Sequence, residues 1–234
     1  MSFSRARTAA LGVALLALAA CDILEPSEHV DQDRIYTDYE LQYDGAEDVT
    51  VARASFRFGG ATGTMLELSD GSTVLANGET MSQRTQPVTN LTYYERSFAG
   101  FLSDAVFEFL DTDGVSYHNG IALRAIAAPS NIGPIDNDNA FELRWNGDAL
   151  DDDEEVSAVL YRLVGGGALA VFTQRDRGAT SIILDRAQLQ NVGPGEAVLV
   201  LERRSSGALD EPTEVGGRIV ARYTAEPVRV DIRD

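Results

Sequence analysis

The chain has no lysine: all nineteen of its basic side chains are arginine, set against thirty-seven Asp and Glu for a formal charge of −18. Such acidity repels polyanions, which disfavours nucleic-acid binding and adsorption to anionic lipid. Excess carboxylate with depleted lysine suits a saline habitat, where carboxylates keep water and cations at a surface that salt otherwise screens. High-GC codon bias together with acidity as a solubility device gives the same balance. Cysteine occurs once, at Cys21, so no disulfide can form within the chain and no Cys-based zinc site exists. Histidine occurs twice. His29 lies in an acidic N-terminal stretch, and His118 sits in SYHNG, read as an exposed residue just before a hairpin turn. There is no G-x-S-x-G, no HExxH, no phosphate-cradling glycine loop and no nicotinamide fingerprint. No stretch holds a helical period, apart from room for one short turn at residues 186–190.

The N-terminus reads as an address. Arg5 and Arg7 precede an apolar run at residues 8–20 that ends in small side chains. A basic flank, a short apolar segment and small residues at its end form a secretory signal. A permanent span needs roughly 20 apolar residues, so this run is too short to be one. The segment Leu18-Ala19-Ala20-Cys21 resembles the lipobox of bacterial lipoproteins. That resemblance implies diacylglycerol on the Cys21 thiol, cleavage before Cys21, acylation of its amine and hence membrane lipid as a partner. Two or more acyl chains make a stable anchor where one is marginal. The expectation is a signal peptide at 1–20 and an acidic tether with lipidated Cys21 at 21–33, the latter being poor in aromatics and carrying Pro26. The location expected is the cell envelope, with the outer membrane ahead of the inner. Asp22 leaves the face open, because it resembles a retention signal in proteobacteria and acidic residues there resemble a surface-export signal in other phyla.

Beyond residue 34 the pattern alternates. In residues 51–58 Ala52, Ala54, Phe56 and Phe58 share one face and Arg53, Ser55 and Arg57 the other; residues 141–145 and 228–232 alternate as cleanly. These are half-buried strands of antiparallel sheets. Asp44-Gly45, Asp70-Gly71, Asn77-Gly78, Asp113-Gly114, Asn119-Gly120 and Asn146-Gly147 are read as turns between them. The chain is therefore expected to be all-β. It also echoes itself: ELQYDG at 40–45 with ELRWNG at 142–147, VTVARASFRFGG with VSAVLYRLVGG, TMLELSD with TSIILD, and YERS with LERRS. The echo predicts two tandem antiparallel sandwiches of seven or eight strands and about 100 residues each, at 34–128 and 140–234, joined by a Pro-, Gly- and Asn-rich linker at 129–139. With Trp145 ending a strand and the run TSIILDRAQLQNVGPGEAVLVLERRSSG, the second half resembles a fibronectin type III or immunoglobulin-like domain. It departs from that family at Ala197 and Val198, where an aromatic is usual. The resemblance implies a fold and not a function.

Three acidic clusters offer the oxygen ligands that calcium takes. They are Asp111 with Asp113, then Asp136, Asp138 and Asn139 beside the linker, then Asp151, Asp152 and Asp153 leading into Glu154 and Glu155. NDNA followed by Phe141 resembles the calcium-binding joint between cadherin repeats, although the LDR segment at 184–186 falls in the wrong half to close it. No cofactor other than calcium is expected. The reading of function is a membrane-anchored, non-catalytic binding, adhesion or spacer module meeting an envelope protein or a glycan. The alternative is a carbohydrate-binding protein or a carboxylate-based hydrolase. For that alternative the candidate aromatics are Tyr93, Tyr94, Phe98 and Phe101, and two carboxyls would have to flank a cleft.

Overall fold

The structure, a computed structural model, describes residues 24–87, 91–162 and 169–234. It is all-β with one short helix. The first half comprises β1 (Glu25–Pro26), β2 (Ile35–Asp44), β3 (Val49–Phe58), β4 (Thr64–Glu67), β5 (Thr73–Ala76), β6 (Glu79–Thr80), β7 (Ser82–Thr85), β8 (Thr92–Ala99), β9 (Asp104–Leu110) and β10 (Ser116–Ala122). The second comprises β11 (Ile135–Asp136), β12 (Phe141–Arg144), β13 (Glu154–Arg162), β14 (Leu169–Gln174), β15 (Ser181–Leu184), α1 (Arg186–Val192), β16 (Gly195–Gly207), β17 (Gly217–Thr224) and β18 (Val228–Arg233).

Alternation sets the layers. Along β2, Ile35, Thr37, Tyr39, Leu41 and Tyr43 are buried while the residues between them stay half-exposed. That inner face meets a four-stranded sheet ordered β10-β9-β5-β6. Between the two sheets lies an aromatic core, with Tyr39 stacked on Phe107 at 4.8 Å and Phe56 against Phe109 at 4.7 Å. A second core lies between β13 and β16 on one side and the β12–β15 pair with α1 on the other, and includes Leu143, Trp145, Val156, Leu160, Leu184, Leu189 and Leu201. Asp185 caps α1 by accepting from the Gln188 amide at 3.0 Å, and Leu189 and Val192 turn the helix toward this core.

One large sheet serves both cores. β17 pairs parallel with β2 from Gly217 opposite Thr37 to Thr224 opposite Asp44, and antiparallel with the far end of β16. Its Ile219 and Ala221 belong to the first core, although they come from the end of the chain. The near end of β16 pairs instead with β18, whose other edge takes β11 in parallel. Residues 208–216, which join β16 to β17, lie along β10. There Glu211 accepts from the His118 amide at 2.6 Å, Asp210 from the Gly120 amide at 3.0 Å, and Asn119 is bonded to the Glu211 backbone through both ends of its amide. Thr213 ties the same segment to the Ile35 carbonyl at 2.7 Å.

Several expectations change. Asn119-Gly120 is not a turn but the middle of β10, and His118 pairs there with Glu108. A polar strand capped by carboxylates from a distant loop looks like a turn when only its own residues are read. Of the stretch expected as a solvated tether, the residues from Glu25 onward are docked, Glu25 and Pro26 pairing in parallel with β4. Ser27 is fully buried, its hydroxyl accepts from the Ser69 amide at 2.9 Å, and Gln32 donates to the carbonyls of Ser27 and Val30. The expected linker is docked as well, with Ile135 fully buried in the second core. Of the echoed segments, β3 with β8 and β13 with β16 are both antiparallel neighbours in the large sheet. ELQYDG, however, lies on a ten-residue strand of the large sheet, whereas ELRWNG lies on a four-residue strand paired with β15.

Candidate functional site

Cys21 lies outside the described residues. The acidic clusters are partnered from within the chain. Asp136 closes its own turn, accepting from the Asp138 amide at 2.9 Å and the Asn139 side chain at 2.8 Å; those bonds, the Asn139 one foremost, hold its carboxyl below the usual range. Asp138 receives Arg186 and Gln190, each at 3.2 Å. Asp151 is bound by Arg124 at 2.6 Å and Asp152 by Arg177 at 2.8 Å, while the Asp153 carbonyl takes the Ser206 amide at 3.1 Å. Asp111 is buried and its carboxylate accepts from the amides of Asp113 and Val115. Among the described residues no group of three or more His, Cys, Asp or Glu is arranged to hold a metal ion.

Composition gave no hint of the buried ion pair beside the third cluster. Glu154 and Arg203 are joined by two bonds, one of them Arg203 Nε to Glu154 Oε1 at 3.0 Å, with side-chain exposures of 3% and 2%. Arg203 donates further to the carbonyls of Asp148 and Ala149, and Trp145 Nε1 donates to the same Asp148 carbonyl. Arg124, at the end of the first half, stands 3.7 Å from Glu154. This is a structural pin at the joint between the halves, closed to ligand.

The open surface is the outer face of the large sheet, where the outward residues of successive strands form a ladder of alternating charge. Arg53 on β3 bonds Glu95 on β8 at 2.8 Å; Asp38 on β2 takes both Nε and Nη2 of Arg218 on β17 at 3.0 and 2.8 Å. Arg222 on β17 lies 3.7 Å from Glu40 and 3.8 Å from Glu202, and Glu155 on β13 pairs with Arg175 at 2.7 Å. Exposed pairs of this kind add about 0–1 kcal/mol each. Their main effect is to fix long side chains in place.

A cleft opens in this face where β3 forks. Residues Val49 to Ala54 of β3 pair with β8, while Arg57 and Phe58 pair with β4. Between the two branches, Ser55 and Phe56 have ladder partners only on the β2 side among the described residues. Over this gap sits a depression of about 190 Å³ walled by Arg53, Arg57, Arg218, Asp38, Glu40 and Tyr93, with Met65 and Leu91 as its apolar part. A second depression of about 260 Å³ adjoins it at Arg53, Gln86 and Tyr93. Arg53 lies 5.8 Å from the Tyr93 ring centroid, a cation–π contact that orients the ring. Of the other aromatics considered, Tyr94 is buried with its hydroxyl on the Leu68 amide, and Phe98 packs at the rim of the first core. Phe101 is 41% exposed and packs edge-on against Tyr43 and Tyr223. Of the four, Tyr93 alone lines the cleft.

No family model and no curated protein matches the chain. Among solved structures 16 chains match. One is the adhesin InvE of Yersinia pseudotuberculosis, at 13% identity over 87% of this chain with a TM-score of 0.22. Another is SGBP-B of the mixed-linkage glucan utilization locus of Bacteroides ovatus, in complex with a mixed-linkage heptasaccharide, at 12% identity over 86% of this chain with a TM-score of 0.20. The alignments span 60% of the length of each of those proteins. At such TM-scores neither likeness bears on what this chain binds.

Proposed function

We propose that this chain is a lipid-anchored protein of the bacterial envelope, acylated on Cys21 and held at the outer membrane, whose joined β-cores present a non-catalytic binding face. The observation that carries the binding role is the cleft at the β3 fork. It sets one aromatic ring and a row of paired guanidinium and carboxylate groups on adjacent strands, open to solvent. Groups already held in position lose little freedom when a ligand arrives, so more of the contact energy appears as affinity.

One further feature agrees with this role. The parallel β2–β17 pairing and the 208–216 segment make the two cores one unit, suited to holding a face clear of the bilayer. The test is a panel of chromogenic glycosides, esters and peptides incubated with the full chain in detergent. The reading expects no turnover. Turnover that a single carboxylate substitution abolishes would contradict it.

A further inference from the structure

The cleft at the fork of β3, we infer, takes a neutral oligosaccharide, with Tyr93 as the platform for one pyranose ring. The inference rests on the reading of the outer face as a binding surface and names its ligand class.

Charge decides against ions. The lining sets Arg53, Arg57 and Arg218 against Asp38 and Glu40, with Glu95 just outside it bonded to Arg53, so the guanidinium groups are largely offset by carboxylates within a chain of −18. Arg53 and Arg218 are already engaged by carboxylates at 2.8–3.0 Å. A phosphate or sulfate would have to displace those carboxylates, and the field of the whole chain would oppose its approach. A cation would meet three guanidinium groups.

A hydroxyl both donates and accepts. Neighbouring hydroxyls of a sugar can therefore accept from the guanidinium N–H groups and donate to the carboxylates of these pairs without breaking them. Among the described residues Arg57 is bonded through one of its five N–H donors, to the Ala61 carbonyl at 3.1 Å, which leaves the others for such contacts. The apolar part of the site, Tyr93 with Leu91 and Met65, matches the C–H face of a pyranose. The adjoining depression of about 260 Å³ at Arg53, Gln86 and Tyr93 leaves space beside that ring.

The experiment is calorimetric titration of the full chain, in detergent micelles, with cellohexaose, laminarihexaose and maltohexaose, using hexagalacturonate as the charged control. At least one neutral hexaose is expected to bind, with affinity unchanged between ~50 mM and ~500 mM NaCl. Tyr93→Ala should weaken it by about tenfold or more, with Tyr93→Phe within about threefold of wild type; circular dichroism confirms that both variants fold. No binding by any neutral hexaose, tighter salt-dependent binding of the uronate, or wild-type affinity in Tyr93→Ala would each overturn the assignment. Release of reducing ends during the titration would instead contradict the non-catalytic reading and leave the saccharide site standing.

Discussion

Arg203 Nε donates to Glu154 Oε1 at 3.0 Å in a pair with almost no solvent exposure. The remaining guanidinium N–H groups reach the Asp148 and Ala149 carbonyls, and Glu154 also accepts the Asp151 amide at 2.9 Å. The bonds to Asp148, Ala149 and Asp151 fall on the segment between β12 and β13, so the pair fixes that loop against β16. Two buried charges are rarely more stabilising than well-packed apolar side chains, but removing one leaves the other uncompensated.

Glu154→Gln or Arg203→Met alone should therefore cost about 3–5 kcal/mol, and the double change Glu154→Leu with Arg203→Met should regain most of it. Urea unfolding at constant slope measures both. Single variants with the wild-type midpoint would show that the loop is held by other contacts.

Gly217 sits where β17 meets β2, and a Cβ there would lie 2.4 Å from the Thr37 carbonyl oxygen. Gly217→Ala should destabilise the chain by about 1–3 kcal/mol through backbone displacement. It should also loosen the joint between the cores. Trp145 reports on the second core and Tyr39 and Tyr94 on the first. In the wild type, tryptophan fluorescence and tyrosine near-UV dichroism should lose signal together, as expected of a cooperative unit. In Gly217→Ala the two transitions should separate.

Acid should release the segment at 208–216. The His118 amide, followed by its ring, holds the Glu211 carboxyl below its ordinary value of 4.5. A carboxyl lowered in the fold gives stability that is full above its unfolded value and lost as pH falls through the folded one. Docking on β10 should thus persist to below about pH 4.5 and then fail, with faster hydrogen exchange at the amides of His118 and Gly120. Glu211→Gln should exchange faster at neutral pH and lose that pH dependence.

The acidic loops should respond weakly to calcium, because arginines already hold Asp138, Asp151 and Asp152. Millimolar calcium should leave the melting temperature of the wild type in place. A rise that Asp136→Asn abolishes would restore the linker as a calcium joint.

The strands were legible because alternation is local: Ala52, Ala54 and Phe56 declare their face within a few residues, and β3 forms as read. The joint was not legible, since β17 finds β2 across most of the chain and nothing in GRIVARYT marks a parallel partner. The docked N-terminal stretch was hidden for a similar reason. Ser27 is held by the distant Ser69 and Ser72, and the buried Gln32 bonds back to the carbonyls of Ser27 and Val30, while their own neighbours are acidic. As for the cleft, Tyr93 was visible as a candidate aromatic, but only the parting of β8 from β4 reveals that its ring lines an opening.

The anchor on Cys21 is tested most directly with labelled palmitate fed to bacteria expressing the wild type and Cys21→Ser. The account predicts label in the wild type alone, with the variant leaving the membrane fraction. Equal labelling, or equal retention in the membrane, would contradict it.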